Sequence, residues 1–64
     1  MTIGEQVRKY RNLKKWKLKE LSERSGLAIS TLSDIELGKN ESVKALREVA
    51  RALGIDLDYL FKKD

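Results

Sequence analysis

Gly26 is the residue that most constrains how this chain can fold, because it separates two short segments with the apolar spacing of amphipathic helices. Residues 18–24 (LKELSER) precede it, and residues 29–37 (ISTLSDIEL) follow it, with Leu32 and Ile35 on one side of the second segment. Glycine adopts positive φ without steric cost, so the chain can reverse sharply between the two segments. The pattern predicts two short helices joined by a tight turn, which is the helix-turn-helix arrangement.

The spacing inside this arrangement is specific. A small residue, Ser22, precedes Gly26 at the point where the following helix crosses close over it. Leu32 and Ile35 anchor the back of that helix, which leaves positions 29, 30, 31, 33 and 34 facing outward. Pairs of helices with a glycine turn also occur in bundles that never contact nucleic acid. Spacing alone therefore favours a DNA-binding function but leaves a purely structural one open.

The remainder of the chain also has helical periodicity, and it contains no proline. Thr2 and Glu5 have capping-box spacing at the start of a first helix, and Ser42 is placed to cap a fourth. The link at 14–17 (KKWK) lacks the glycine that often ends a helix. The predicted helices span about 3–13, 18–24, 29–37, 43–53 and 57–62, with Gly38 and Gly54 ending the third and fourth. We expect an all-α, compact five-helix bundle with a central helix-turn-helix at about 18–37, forming one domain over residues 1–64.

Composition excludes several classes of function. The chain has no cysteine and no histidine, which rules out disulfides, zinc fingers, thiol nucleophiles and imidazole bases. A chain of 64 residues has little room for a catalytic pocket, so we expect no enzyme activity, no cofactor, no metal and no small-molecule substrate. It has neither an apolar run of the ~20 residues that a bilayer span requires nor a signal-peptide core. We therefore expect a cytoplasmic protein with no membrane contact.

Positive charge is concentrated near the beginning of the sequence. Residues 1–19 contain seven Lys and Arg residues and only one acid, Glu5, whereas residues 20–64 contain seven basic and nine acidic residues. Charge of one sign gathered in one part of a chain indicates a polyanionic partner such as nucleic acid. A solvated helix face that only maintains solubility is the alternative interpretation.

Three stretches resemble a known family: IGEQVRKYR at 3–11, ELSERSGLAISTLSDIELGK at 20–39 and LREVARALGIDLDYLF at 46–61. Together they make the chain similar to the Cro/CI-type (XRE-like) helix-turn-helix family of phage and bacterial repressors, which includes SinR-like regulators. The resemblance implies a lambda-repressor-like DNA-binding domain. It further implies that the domain binds a pseudo-palindromic operator in double-stranded DNA as a homodimer and regulates transcription as a repressor.

By position, the resemblance makes the third helix the recognition helix. It implies base contacts from Ile29, Ser30, Thr31, Ser33 and Asp34. The chemistry of these side chains allows Ile29 to contact a thymine methyl group and Asp34 to accept from a cytosine amino group, with hydroxyls bonding base acceptors. None has the bidentate geometry of Arg on guanine, so we expect modest base discrimination and a larger role for DNA shape and half-site spacing.

Two acids lie in the predicted recognition helix, and the resemblance gives them different roles. Glu36 matches a position whose partner in a structural salt bridge is Arg11, so we expect Glu36 to face inward and to join the first and third helices. Asp34 has no such partner in the pattern and is expected on the exposed face.

Affinity for DNA has to come from residues beside the recognition helix, because no Lys, Arg, Asn or Gln lies between Arg24 and Lys39. The link before the second helix is basic, and that helix is the one that crosses the DNA backbone in such motifs. We expect DNA backbone contacts from Lys14, Lys15, Lys17, Lys19, Lys39 and Asn40.

Departures from the family pattern support an alternative function. Leu18 stands where the family usually has a phosphate-contacting Gln, Leu37 stands where it usually has Asn, and Ile29 is apolar at the start of the recognition helix. Exposed apolar residues often mark a protein-binding surface. The alternative is a protein-interaction module on the same fold, an antirepressor or antitoxin-like partner of a regulatory protein, with these three residues as its partner surface.

Overall fold

In a computed structural model of the chain, which describes residues 1–61, every regular element is an α-helix. The helices are α1 (Ile3–Leu13), α2 (Leu18–Ser25), α3 (Ile29–Glu36), α4 (Val43–Leu53) and α5 (Asp58–Phe61). The all-α class is confirmed, and each helix lies where the periodicity predicted it. Helix ends differ by about one residue, which is the usual uncertainty at frayed termini. Position 62 of the predicted fifth helix lies outside the described residues.

A single apolar core joins the helices. Every helix contributes at least one buried side chain, so the amphipathic stripes seen in the sequence converge on one centre. Burying a leucine completely stabilises the fold by about 1.5–3 kcal/mol. The largest fully buried side chains are Val7, Leu21, Leu32, Ile35, Leu46, Val49, Leu53 and Leu60.

Side-chain caps fix the starts of α1 and α4. The Thr2 N–H donates to Glu5 Oε1 at 2.8 Å, and the Glu5 N–H donates to Thr2 Oγ1 at 3.1 Å, which completes the predicted capping box. The hydrogen bond from the Thr2 N–H lowers the pKa of the Glu5 carboxyl. At α4, Ser42 Oγ accepts from the Ala45 N–H at 3.3 Å. Both caps occupy backbone donors that the helix itself leaves unpaired.

The turn between α2 and α3 has the left-handed residue that the sequence predicts. Gly26 has φ +77° and ends α2. Two serines brace the turn: Ser22 Oγ donates to the Leu27 carbonyl at 2.6 Å, and Ser25 Oγ accepts from the Leu27 N–H at 3.2 Å. Ser22 is therefore more than a small residue under a crossing helix, because its hydroxyl also fixes the path of the chain into α3.

Helices α1 and α3 end in the same way with different residues. In α3, the Gly38 and Lys39 N–H groups donate to the Ile35 and Asp34 carbonyls, with Gly38 at φ +80°. In α1 the equivalent left-handed position is Lys15, at φ +60°. Left-handed backbone costs a residue with a Cβ about 1–2 kcal/mol relative to glycine. The link that lacks a glycine therefore still turns as if it had one.

The start of α1 lies directly beneath the end of α3. A Cβ added to Gly4 would lie 2.4 Å from the Glu36 carbonyl oxygen and 2.5 Å from that of Ile35. Real Cβ atoms do not approach backbone oxygen this closely, so only glycine allows these two helices to meet at this distance. Gly4 thereby fixes the position of α3 in the bundle.

Within residues 1–61, none of the helices is both long enough and apolar enough to cross a bilayer.

Candidate nucleic-acid interface

Helix α3 has one buried side and one exposed side. Leu32 and Ile35 are buried in the core, as the spacing predicts. Of the five residues predicted to contact bases, Ile29, Ser30 and Asp34 are exposed, and Thr31 and Ser33 are half-buried. The exposed side of α3 therefore carries an apolar group at its first residue, hydroxyl groups along its length and a carboxylate near its end.

Glu36 is on the buried side of the same helix. Arg11 Nε donates to Glu36 Oε2 at 2.7 Å, and Arg11 Nη2 donates to Glu36 Oε1 at 3.1 Å. Arg8 Nε adds a third hydrogen bond to Oε1 at 3.2 Å. The side chain of Glu36 is only 3% exposed and that of Arg11 14%, whereas that of Arg8 is 54% exposed. The structure thus brings Arg11 and Glu36 together as an inter-helix ion pair, and it adds Arg8.

The same arginine connects α3 to the basic link. Arg11 Nη1 donates to the Trp16 carbonyl at 2.8 Å, so one guanidinium bonds both α3 and the KKWK segment. Hydrogen bonding to Glu36 raises the pKa of Arg11, which stays charged at any physiological pH. A planar guanidinium can bond a carboxylate in a bidentate manner and still donate elsewhere. The link and α3 are therefore held at a fixed relative position.

The residues predicted to contact the DNA backbone lie at the surface on both flanks of the motif. Lys14, Lys15, Lys17 and Lys19 are exposed around the link and the first turn of α2, and Lys39 is exposed just after α3. Asn40 is half-buried, and its Oδ1 accepts from the Ser42 N–H at 2.9 Å. Its side-chain amide N–H groups are thus the ones suited to donate to a phosphate.

Trp16 organises two cations beside the link. It is half-buried against the core, and the Arg24 guanidinium carbon lies 4.4 Å from its ring centroid. Lys14 Nζ lies 5.3 Å from the same centroid. Both distances are within the range of cation–π attraction. The aromatic ring therefore concentrates positive charge at the point where the link enters α2.

The three apolar residues of the proposed partner surface differ in exposure. Leu18 is half-buried and packs against the core, because the first turn of α2 directs it inward beside Leu21. Ile29 is 47% exposed and Leu37 is 58% exposed, at the start and just past the end of α3. Ile29 and Leu37 are therefore the more exposed members of the predicted partner surface, and Leu18 the least exposed.

Sequence reasoning missed two residues that position α3. Arg8 precedes Arg11 by three residues on a helix, so helical geometry already put both on one face opposite Glu36. Gly4 lies within the first turn of a helix, where glycine costs about 1 kcal/mol unless close packing requires it. The spacing of the two arginines and the glycine in the first turn are both visible in the sequence. Neither indicates that the group in contact is Glu36 or the backbone at the end of α3.

Comparison with curated proteins identifies relatives that regulate transcription. The chain is 36% identical over 63 residues to the HTH-type transcriptional regulator SinR of Bacillus licheniformis. It is 38% identical over 60 residues to SinR of Bacillus subtilis (strain 168). These matches cover 95% and 91% of this chain but only 57% and 54% of the two relatives. The chain spans a little over half the length of the curated relatives it matches.

Solved structures agree with this relationship. The N-terminal DNA-binding domain of SinR from Bacillus subtilis superposes with a TM-score of 0.87 at 34% identity, covering 97% of this chain and 93% of that domain. SinR in complex with DNA gives 0.85 at 36% identity, covering 95% of this chain and all of that one. The SinR–SinI protein complex gives 0.88 at 34% identity, covering 97% and 62%.

A family model supplies the assignment. The model described as helix-turn-helix (HTH_3) matches residues 7–60, which include all of α2, the glycine turn and α3. With the fold and the SinR relatives in agreement, the chain belongs to the XRE-type helix-turn-helix family of DNA-binding transcription regulators.

Proposed function

We propose that this chain is a sequence-specific DNA-binding unit of a transcriptional repressor, which inserts α3 into the major groove. The observation that carries the proposal is the arrangement of charge around α3. Its exposed side lacks cations, and exposed lysines lie on both of its flanks, in the link before α2 and at Lys39. In helix-turn-helix proteins the second helix of the motif contacts base edges while neighbouring segments contact phosphates.

Backbone contacts supply most of the affinity. Lys17 is the residue just before α2, and Lys14, Lys15 and Lys19 surround it, so these four side chains meet the phosphates that the start of α2 crosses. Lys39 and Asn40 meet phosphates on the far side of α3. Each neutralised phosphate releases condensed counterions, so binding weakens as salt rises, by a factor that grows with the number of contacts.

Base contacts supply a smaller, sequence-dependent term. Ile29, Ser30, Thr31, Ser33 and Asp34 are the side chains available for it. The domain acts as a homodimer. Two copies related by two-fold symmetry bind the two halves of a pseudo-palindrome at a fixed spacing, which doubles both the backbone contacts and the base contacts. Repression follows from blocking polymerase or a competing regulator at the operator. A regulator of this kind works on the nucleoid, in the cytoplasm of a bacterial cell.

The salt dependence of binding tests this function. Gel-shift or fluorescence titrations of the chain against genomic fragments at low and moderate ionic strength give the slope of log K against log salt. Lys17→Ala is expected to reduce that slope by about one unit, since one phosphate contact is lost.

Arg51→Ala is the matched control for this experiment. It removes the same charge from an exposed side chain near the end of α4, far from the link in sequence. If DNA binding depends on local contacts, the control keeps the wild-type slope. Absence of binding even at low salt, or equal effects of the two substitutions, contradicts the proposed interface.

A protein-interaction module is the second candidate, and one observation favours it. Leu37 is more than half exposed at the end of α3, and SinR, whose structure this chain matches, is also solved in a complex with the SinI protein. In this case Ile29 and Leu37 contact a regulatory protein rather than DNA. Co-purification of a protein partner that is lost with Leu37→Ser, together with no DNA binding at low salt, supports this candidate over the first.

A further inference from the structure

The exposed side of α3 contains an unusual set of chemical groups for contacting base edges. Among its two acids, only Asp34 faces outward, because Glu36 is occupied by Arg8 and Arg11. The remaining outward groups are the hydroxyls of Ser30, Thr31 and Ser33 and the branched alkyl side chain of Ile29. The helix presents no guanidinium, ammonium or side-chain amide over its entire length, Ile29–Glu36.

This set restricts which major-groove groups the helix can bind. Guanine presents two acceptors, N7 and O6, and the strong contact to both comes from a bidentate cationic donor. An ionised Asp34 is an acceptor only, so it repels those two atoms and bonds only the amino groups of cytosine and adenine. Hydroxyls bond either kind of group and discriminate weakly. The one distinct group left for Ile29 is the 5-methyl group on a pyrimidine.

We propose that Ile29 is a specificity-determining residue that recognises the 5-methyl group of a pyrimidine, so that this domain favours thymine, and equally 5-methylcytosine, at one position of each half-site. Ile29 is the first residue of α3 and its side chain is 47% exposed. Side chains in the N-terminal part of such a helix are the ones that reach base edges.

The two pyrimidines share the feature that Ile29 contacts and differ in the rest of the base pair. Thymine carries its methyl group beside an acceptor, O4, whereas 5-methylcytosine carries it beside an amino donor. If the methyl group strengthens binding for both bases, the gain in affinity comes from the apolar contact and not from the hydrogen-bonding pattern.

DNA is the occupant that the surroundings of Ile29 favour. The nearest segments in sequence on either side of the motif carry exposed lysines, which complement a polyanion. Leu18, the apolar first residue of α2, is half-buried against the core, which reduces the apolar area that the motif offers to a protein partner. This inference rests on the proposed function, since it names which feature of the DNA that function recognises.

The test begins with in vitro selection of bound duplexes from a random-sequence library. In the most enriched duplex, each thymine is replaced in turn by deoxyuridine, which removes only the methyl group. At the sensitive position, cytosine and 5-methylcytosine are then compared opposite guanine. We expect the methyl group to strengthen binding about 4-fold per half-site in both comparisons, the value for burying one carbon group.

Two variants make the test specific. Ile29→Ala is expected to bind the thymine and deoxyuridine duplexes equally, and the 5-methylcytosine and cytosine duplexes equally, with unchanged helix content. Leu37→Ala removes a somewhat more exposed apolar side chain, 58% against 47% for Ile29, just past the other end of α3 and is expected to keep the wild-type ratios.

The outcomes separate this inference from the function beneath it. If selected duplexes bind with steep salt dependence but no position distinguishes thymine from deoxyuridine, or if Ile29→Ala keeps the ratios, the methyl contact is wrong and DNA binding stands. If selection enriches no DNA, both are wrong.

Discussion

Two acids on α3, Glu36 and Asp34, differ completely in their surroundings although only one residue separates them. Glu36 accepts hydrogen bonds from two arginines of α1 and is almost fully buried. Asp34 is exposed, and its backbone carbonyl accepts from the Lys39 N–H at 2.8 Å. Two residues rotate about 200° around a helix, so neighbouring acids can face opposite sides. One side of α3 therefore holds the helix in the bundle, and the other remains available for DNA.

The comparison also explains why a helix without cations can belong to a DNA-binding family. Positive charge lies beside α3 rather than on it, and Arg11 bonds the basic link and α3 at once. The proposed phosphate contacts and the proposed base contacts thus lie on different segments, whose relative position is fixed by the Arg11–Glu36 ion pair. A change in that pair should alter stability, and a change on the exposed side should alter only recognition.

The largest expected effect comes from Glu36→Ala. It removes the buried carboxylate and leaves Arg11, whose side chain is only 14% exposed, without this partner. Loss of one partner from a buried pair typically costs about 3–5 kcal/mol. A domain of this length has about 3–10 kcal/mol of total stability, so much of the variant should be unfolded at 37 °C. Urea unfolding followed by circular dichroism measures the change in free energy.

Asp34→Ala is the matched control, since it removes the same kind of charge from the same helix. Its free energy of unfolding is expected to lie within about 0.5 kcal/mol of the wild type, as for most surface substitutions. Similar losses in the two variants would contradict the division of α3 into a structural and a recognition side.

The second effect concerns Gly4, which sets how closely α1 approaches the structural side of α3. Gly4→Ala is expected to cost about 3 kcal/mol, because its Cβ meets backbone oxygens that cannot move independently. Gly54→Ala offers a comparison: it is strained by a φ of +74° but has open space around it, and should cost about 1–2 kcal/mol. A Gly4→Ala variant as stable as the wild type would show that α1 and α3 can separate without penalty.

The smallest effect is a gain in stability, at the link beside the recognition side. Lys15→Gly is expected to stabilise the domain by about 1 kcal/mol, since it relieves left-handed backbone at φ +60°. Lys15→Ala removes the same charge but keeps a Cβ, so it should give no comparable gain. Thermal unfolding of the three proteins distinguishes them. Equal stability of the glycine and alanine variants would mean that the turn is not strained.

Much of this fold could be predicted from the sequence because the signals are local. Helical periodicity, the Thr2 capping box and the glycines at 26, 38 and 54 each act within a few residues, and the structure has all of them where expected. The different roles of the two acids were implied by the resemblance to the Cro/CI-type family, in which the positions of Arg11 and Glu36 form a salt bridge, and the structure has that pair.

Other features depend on contacts between segments distant in sequence. Leu18 was expected to belong to a partner surface, and its degree of burial follows from packing against core residues of other helices. Arg8 pairs with Glu36 of α3, and no local pattern specifies that partner. The need for glycine at position 4 is explained only by the backbone of α3, which packs against it. The left-handed Lys15 shows that a missing glycine does not prevent a turn when hydrogen bonds to α1 compensate. The bases that the proposed interface would contact depend on the sequence of the bound DNA, which the amino-acid sequence alone does not specify.

The most direct test of the central claim, that the outward side of α3 recognises bases, is parallel in vitro selection of DNA by the wild type and by Asp34→Ala. Both proteins should enrich related sequences with similar salt dependence. The variant should lose preference at one base pair per half-site, by about 1–3 kcal/mol, where the carboxylate accepts from a base amino group. Identical preferences at every position, or no enriched sequence for the wild type, would contradict the claim.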